Sequence, residues 1–242
     1  MSIKNIMSKQ FTTDWFSNNI KIWERVFQNL IGKPNLNFLE VGCWEGRATC
    51  WLLENILTDK TSKLTVVDTF EGSSEENGMK NLDFKNIYSR FKHNTKEYND
   101  KITIHNGYSN YILKQLGNEP LFDFVYIDAS HTAYGTLEDA ILVHPLLKTG
   151  GIIIFDDYRW RDPGRPSVTD SPELGVNCFA NAYADFYNIL FVDYQIGFIK
   201  VEKIKSATVQ RAICRMSIQN RKWSNQPINL SKEIICKWLE VG

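Results

Sequence analysis

A chain of 242 residues is long enough for one full α/β domain with appendages and for a substantial buried core. An apolar fraction of 43% and a charged fraction of 23% exclude a disordered or fibrous chain, and 28 basic against 28 acidic residues exclude the cationic surface of a general nucleic-acid binder. Five cysteines (Cys43, Cys50, Cys178, Cys214, Cys236) without a CxxC pair read as buried thiols, no run is long and apolar enough for a bilayer, and "MSIKNIMSKQ" is no secretion signal, so a cytoplasmic protein is expected.

The first element expected is a helix over 14–31, with Phe16, Ile20, Trp23, Phe27, Leu30 and Ile31 on one stripe, Thr13 or Asp14 as its cap, and Gly32 and Pro34 ending it. Strand and helix then alternate. "NFLEV" (37–41) is a strand and 46–57 a helix with Ala48, Trp51, Leu52 and Ile56 inward. "LTVVD" (64–68) is a strand, followed by a polar loop and a helix near 81–92; "KITIH" (101–105) is a strand, with a short helix at about 109–116. "FDFVYID" (122–128) is a strand, 132–147 a helix with Ala133, Leu137, Ile141 and His144 on one face, and "GIIIF" (151–155) the next strand. A loop over 157–175 precedes a helix at 176–187. Last come "NILFV" and "QIGFIKV", separated only by Asp193 and Tyr194, a connection so short that the pair must be antiparallel.

Alternating elements of this length imply an α/β fold, a doubly wound, mostly parallel seven-stranded sheet with an antiparallel C-terminal hairpin. Residues 1–35 form an N-terminal helical segment, 36–202 the main domain and 203–242 a basic, helical extension. Within that extension, 203–222 carries six basic residues and no acidic ones, open either to solvent or to an anionic partner, and 234–239 reads as a short helix.

Ligands of open α/β sheets bind outside the carboxyl ends of the strands. The first exit carries Glu40, then Gly42 and Gly46 in "EVGCWEG"; the second carries Asp68; the third is "HNGYS" (105–109); the fourth carries Asp128; the fifth carries Asp156 and Asp157. Glycines let the backbone turn tightly and approach a ligand, and an aspartate at the neighbouring exit can accept ribose hydroxyls. A nicotinamide dinucleotide is disfavoured, because Trp44 and Arg47 replace the second and third glycines of its fingerprint. Two carboxylates at the mouth of the buried strand "IIIF" call for a positive charge.

"FLEVGCWEGRAT", "VVDTFEG", "FDFVYIDASH" and "LLKTGGIIIFDDY", in this order, resemble the class I S-adenosylmethionine-dependent methyltransferases over about residues 36–200. The resemblance implies a Rossmann-like methyltransferase fold. It implies that Glu40 and the turn Gly42, Cys43, Trp44 and Gly46 hold the methionine half of S-adenosylmethionine. It implies that Asp68 binds the ribose, and that Thr69, Phe70, Gly107, Tyr108 and Ser109 flank the adenine, with Asp128 also at the cofactor. "DTFEG" and "IDASHTAY" with "LEDA" are similar to metal-dependent O-methyltransferases of the macrolide-sugar type, which implies Mg²⁺ on Asp128, Asp156 and Asp157 and a small-molecule hydroxyl as acceptor. Asp139 is a further carboxylate that could replace one ligand or support one.

Transfer from a sulfonium needs alignment, exclusion of water and a nucleophilic oxygen. His131, three residues past Asp128, is the candidate base, since an imidazole with a pKa near 6.5 accepts a proton at neutral pH; capping the following helix is its other open role. Arg159, Trp160, Arg161 and Arg165 lie on a loop long enough for a lid, and Trp15 and Trp23 are either a further wall of the site or core. Two alternatives stay open: metal-independent methylation with His131 as sole base, and a non-catalytic cofactor-binding module. No membrane and no nucleic-acid partner are expected, and a homodimer through the N-terminal helix or the tail is the oligomer considered.

Overall fold

In the computed structural model, which describes residues 9–72, 83–161 and 167–203, the chain forms a seven-stranded sheet of order β3-β2-β1-β4-β5-β7-β6 and divides into two units, Met1–Gln115 and Leu116–Gly242. Arg165, Cys214, Cys236, the basic run beyond Lys203 and the helix expected at 234–239 lie outside the described residues.

In the first unit a 3₁₀ turn at Ser17–Asn19 leads into α1 (Ile20–Phe27), shorter than the expected 14–31. Neither Thr13 nor Asp14 is the helix cap, a position that falls to Phe16 for the turn and Asn19 for α1, although Asp14 Oδ1 accepts from the Ser17 amide at 3.0 Å just ahead of the turn. The chain leaves the helix before Gly32, whose φ of +68° only glycine adopts freely, and Ile31 is therefore exposed rather than on the buried stripe. Trp23, 0% exposed, packs edge-on to Phe16, Phe27 and Trp51 at 4.8, 5.5 and 5.7 Å between centroids, so it is core and no wall of a site.

β1 (Asn37–Val41) pairs in parallel with β2 (Lys63–Asp68), and β2 with β3 (Ile102–Asn106); the registers Val41↔Val67 and Asp68↔Asn106 bring the three exits level. Strands buried on both faces need continuous apolar runs, and Phe38, Leu39, Val41, Leu64, Val66 and Val67 are all buried. Between the strands lie α2 (Arg47–Asn55) and α3 (Ile87–Thr95), and α4 (Ser109–Gln115) follows β3.

In the second unit β4 (Phe122–Ile127) pairs in parallel with β5 (Leu147–Phe155), while β6 (Tyr187–Val192) and β7 (Ile196–Lys200) form the expected antiparallel hairpin, with β7 against β5. α5 (Ala133–Val143) is capped by the Thr132 hydroxyl, which accepts from Gly135, and α6 (Pro172–Ala182) opens on a proline in its first turn. The buried face of α5 is Ala133, Thr136, Asp139, Ala140 and Val143, not the expected Ala133, Leu137, Ile141 and His144, and Ile141 is 43% exposed. Stepping by four advances about 40° each time around a helix of about 3.6 residues per turn, so that stripe drifts off the core. Gly175 is needed on α6 because a side chain there would collide with the Ala133 carbonyl of α5.

Cys43 and Cys50 are buried thiols as expected, whereas Cys178 is exposed. Among the described residues no helix is long and apolar enough to cross a membrane.

His144 follows α5, with its ring 4.4 Å from that of Tyr183 and 5.2 Å from that of Phe186 and its Nδ1 3.0 Å from the Tyr187 hydroxyl. Burial, aided by the Lys200 charge, lowers its pKa from 6.5 to about 4. The folded state thus refuses a proton that the unfolded chain accepts, so the His144 contribution is intact above about 6.5 and is lost as pH falls towards about 4. Urea unfolding of the wild type and of His144→Phe at successive pH values should show the wild type losing more stability between those limits; parallel profiles would contradict it.

Candidate functional site

The turn after β1 is built from three residues with positive φ, Gly42 (+84°), Trp44 (+48°) and Gly46 (+80°). A tryptophan in this left-handed region costs about 1–2 kcal/mol, and the loss is offset by what the turn's amides meet. Asp68 Oδ2 accepts from Cys43 N at 2.6 Å and Trp44 N at 2.9 Å, while Oδ1 accepts from Phe70 N at 2.6 Å. One carboxylate at the exit of β2 therefore fixes the turn leaving β1 and its own onward chain. Asp68, expected to bind ribose, serves first as the anchor of the glycine turn; an ionised carboxylate offers about four lone-pair sites, and these three amides leave room for a further donor.

Glu40 is 1% exposed and accepts from the Thr49 hydroxyl at 2.6 Å. Burial, with the Asp68 charge adding to it and the Thr49 bond opposing it, raises its pKa to about 8, so it holds a proton at neutral pH. Gly107 donates its amide to the Asp68 carbonyl at 2.9 Å, which sets Gly107, Tyr108 and Ser109 beside that exit, as β3's register requires; Tyr108 is exposed and Ser109 opens α4. Thr69 accepts from Glu71 N, and Phe70 packs its ring against Tyr88 and Phe91 at 4.7 and 5.2 Å.

Sequence reasoning overlooked Glu45, inside the same turn. Its buried carboxylate accepts from Arg90 Nε at 2.5 Å and from both the amide and hydroxyl of Thr12 at 2.6 Å, and Arg90 reaches on to Asp83 at 2.9 Å. The partners are 33 and 45 positions away, a separation no local motif reports. Arg47 donates to the Thr13 carbonyl and lies over the Phe11 ring, and Trp15, 48% exposed, meets Trp44 at 5.4 Å between centroids. Trp44 Nε1 is buried with no hydrogen-bond partner among the described residues, a donor left over inside the turn. Glycine is needed at position 46 because its φ of +80° is left-handed and a Cβ there would come to 2.9 Å from the Phe91 ring.

In the second unit β4's register (Tyr126↔Ile154, Ile127↔Phe155) brings Asp128 level with Asp156. Alternation puts Tyr126 and Asp128 on one face, and the Tyr126 hydroxyl donates to Asp156 Oδ2 and stands 3.1 Å from Asp128 Oδ2. Asp156 is 8% exposed, its Oδ1 accepts from Asp157 N at 2.8 Å, and burial next to Asp157 raises its pKa. Asp157, at φ +52°, has left the strand conformation; its Oδ2 lies 2.9 Å from His131 Nε2 and its Oδ1 accepts from the Tyr194 hydroxyl at 2.6 Å. Ligand atoms of Asp128, His131 and Asp157 all lie within 4.8 Å of one another, a set of two carboxylates and an imidazole that suits a divalent cation. Asp156 stands beside that set on the Tyr126 hydroxyl, and Asp139 is buried on α5.

From the expected lid, Trp160 lies 5.0 Å from the His131 ring and Arg161 pairs with Glu173; Arg159 donates its amide to the Tyr194 carbonyl. Tyr126, Tyr194 and Gln195 went unread in the sequence as members of this cluster.

A class I, S-adenosylmethionine-dependent methyltransferase is what this fold and turn define, and residues 39–158 match the family model described as a methyltransferase domain. That match spans just under half of the 242-residue chain. A protein of Acanthamoeba polyphaga mimivirus described as uncharacterized is 27% identical over 168 residues, 66% of this chain and 72% of that one. Among solved structures, the O-methyltransferase of Bacillus cereus in complex with SAH gives a TM-score of 0.56 at 19% identity, over 78% of this chain and 84% of that one. MycE of the mycinamycin biosynthetic pathway, in complex with Mg, SAH and mycinamycin VI, gives 0.54 at 13% identity over 80% of this chain and 51% of that one. TomG of Streptomyces achromogenes, in complex with SAM, gives 0.52 at 16% identity over 75% and 77%. At such identities these structures speak for the fold.

Removing Glu45 leaves the Arg90 guanidinium, 10% exposed, without its main counter-charge. Glu45→Ala should lower unfolding free energy by about 3–5 kcal/mol in urea titrations, the range for breaking one side of a buried pair. A loss below about 1 kcal/mol, the scale of a surface pair, would mean that the pair is screened by water.

Proposed function

We propose that the protein transfers the methyl group of S-adenosylmethionine to a hydroxyl oxygen of a small molecule, with a divalent cation held by Asp128, His131 and Asp157. The observation that carries the cation is the convergence of those three ligand atoms within 4.8 Å, and MycE, whose structure contains Mg, supports the choice of metal. O-methylation is favoured by the O-methyltransferase neighbours, and a macrolide-like or sugar acceptor by MycE with mycinamycin VI. In the first unit the glycine turn, Asp68 and the residues at Gly107 receive the cofactor, and Glu40 meets its methionine half.

Methyl transfer is an in-line displacement in which the acceptor oxygen forms a bond to the methyl carbon while the carbon–sulfur bond breaks and S-adenosylhomocysteine leaves. A bound cation lowers the pKa of a coordinated hydroxyl and orients it. The proton released would leave to water, since lone pairs committed to the cation cannot accept it. A second reading rests on the 2.9 Å contact of His131 with Asp157: a carboxylate-oriented imidazole is a competent general base without metal.

Titration calorimetry with S-adenosylhomocysteine should give saturable binding, and Asp68→Ala, which releases three amides of the turn, should weaken it at least about tenfold, or about 1.4 kcal/mol. Absence of binding to the wild type would overturn the cofactor assignment. Turnover on a hydroxylated acceptor library should vanish with EDTA and return with Mg²⁺ or Mn²⁺; turnover indifferent to chelation but lost in His131→Ala would select the metal-free reading.

A further inference from the structure

We propose that the β6–β7 turn is the positioning element of the carboxylate cluster, with Tyr194 setting Asp157 and Gln195 setting Asp156. This rests on the function proposed above for the cluster and adds two residues that act through it. The cause is register. β5 and β7 run antiparallel with Ile154 opposite Gly197 and Phe155 opposite Ile196, so continuing the ladder past the end of β5 brings Asp156 to Gln195 and Asp157 to Tyr194. The side chains make those contacts. The Tyr194 hydroxyl donates to Asp157 Oδ1 at 2.6 Å, leaving Oδ2 turned to His131 Nε2 at 2.9 Å. Gln195, 1% exposed, donates from Nε2 to the Tyr126 hydroxyl at 3.3 Å, and that hydroxyl in turn donates to Asp156.

The turn itself is rigidly specified. Asp193 N donates to the Gln195 carbonyl at 2.7 Å, Asp193 Oδ1 accepts from Tyr194 N at 2.8 Å, and Arg159 N donates to the Tyr194 carbonyl at 3.2 Å, which fastens the turn to the chain just beyond Asp157. Two consecutive side chains of one turn therefore address two consecutive aspartates. Asp157 has most need of an outside support, because its φ of +52° puts it beyond the strand ladder that orients its neighbours. Tyr194 is a positioning residue here: its hydroxyl touches a carboxylate and no reacting atom.

Tyr194→Phe in the full chain removes the hydroxyl and keeps the ring. Its crystal structure should show the Asp157 carboxylate turned away from His131, with Mn²⁺ affinity by calorimetry reduced about 10–100-fold, the range for losing an outer support of a metal ligand, and S-adenosylhomocysteine affinity within about twofold of wild type. An Asp157 that keeps its place beside His131 overturns the inference, whatever the cation affinity does. Wild-type protein that fails to bind Mn²⁺, with Asp157 displaced in the variant, sinks the cation reading and leaves the positioning role standing.

Discussion

The turn leaving β1 and the chain leaving β2 are organised by the carboxylate of Asp68. Its two oxygens accept three backbone amides, from Cys43, Trp44 and Phe70. Two of those donors sit in residues with left-handed backbone and bulky side chains, Trp44 and Phe70, conformations that are unfavourable without such partners. Hydrogen bonds to a charged acceptor are worth roughly 1.5–3 kcal/mol each, enough to offset the backbone cost of both. An aspartate that would otherwise be read as a waiting ligand group is thus already at work holding the cradle open.

The second unit solves the opposite problem, how to keep several carboxylates close together. Burial, and after it the neighbouring Asp157 charge, raises the pKa of Asp156. Neutral donors take part in holding the cluster, the hydroxyls of Tyr126 and Tyr194, the Gln195 amide and the backbone of Asp157, beside the His131 ring at Asp157. The described contacts of Arg161 run instead to Glu173 and the Trp160 carbonyl. Neutral donors shape an anionic cluster without cancelling its charge, which keeps it attractive to a cation.

Much of the fold was legible because strand and turn signals are local. "NFLEV" coincides with β1 to the residue, the five exits were named from residue type alone, and the antiparallel hairpin followed from the shortness of its connection. Helix faces were less legible: α5 was assigned a stripe by counting fours, and Asp139 and Thr136 turned out buried where Leu137 and Ile141 had been expected. The partners of the site were hidden for another reason. Tyr126 meets Asp156 across 30 positions, Tyr194 meets Asp157 across 37 and Arg90 meets Glu45 across 45. Such pairs exist only once register is set. Asp68 shows the same limit, since its type announces an acceptor and says nothing about which donors arrive first.

One consequence concerns how this sequence can change over generations. Surface hairpins are ordinarily where chains gain and lose residues most freely. Here the three positions between Val192 and Ile196 are tied by ladder parity to the strand that ends in the aspartates. A single insertion on the β7 side would turn every following side chain to the opposite face of the sheet, exchanging Phe198 for its neighbours in the core. Insertions that shift β7 against β5 are therefore costly at this hairpin.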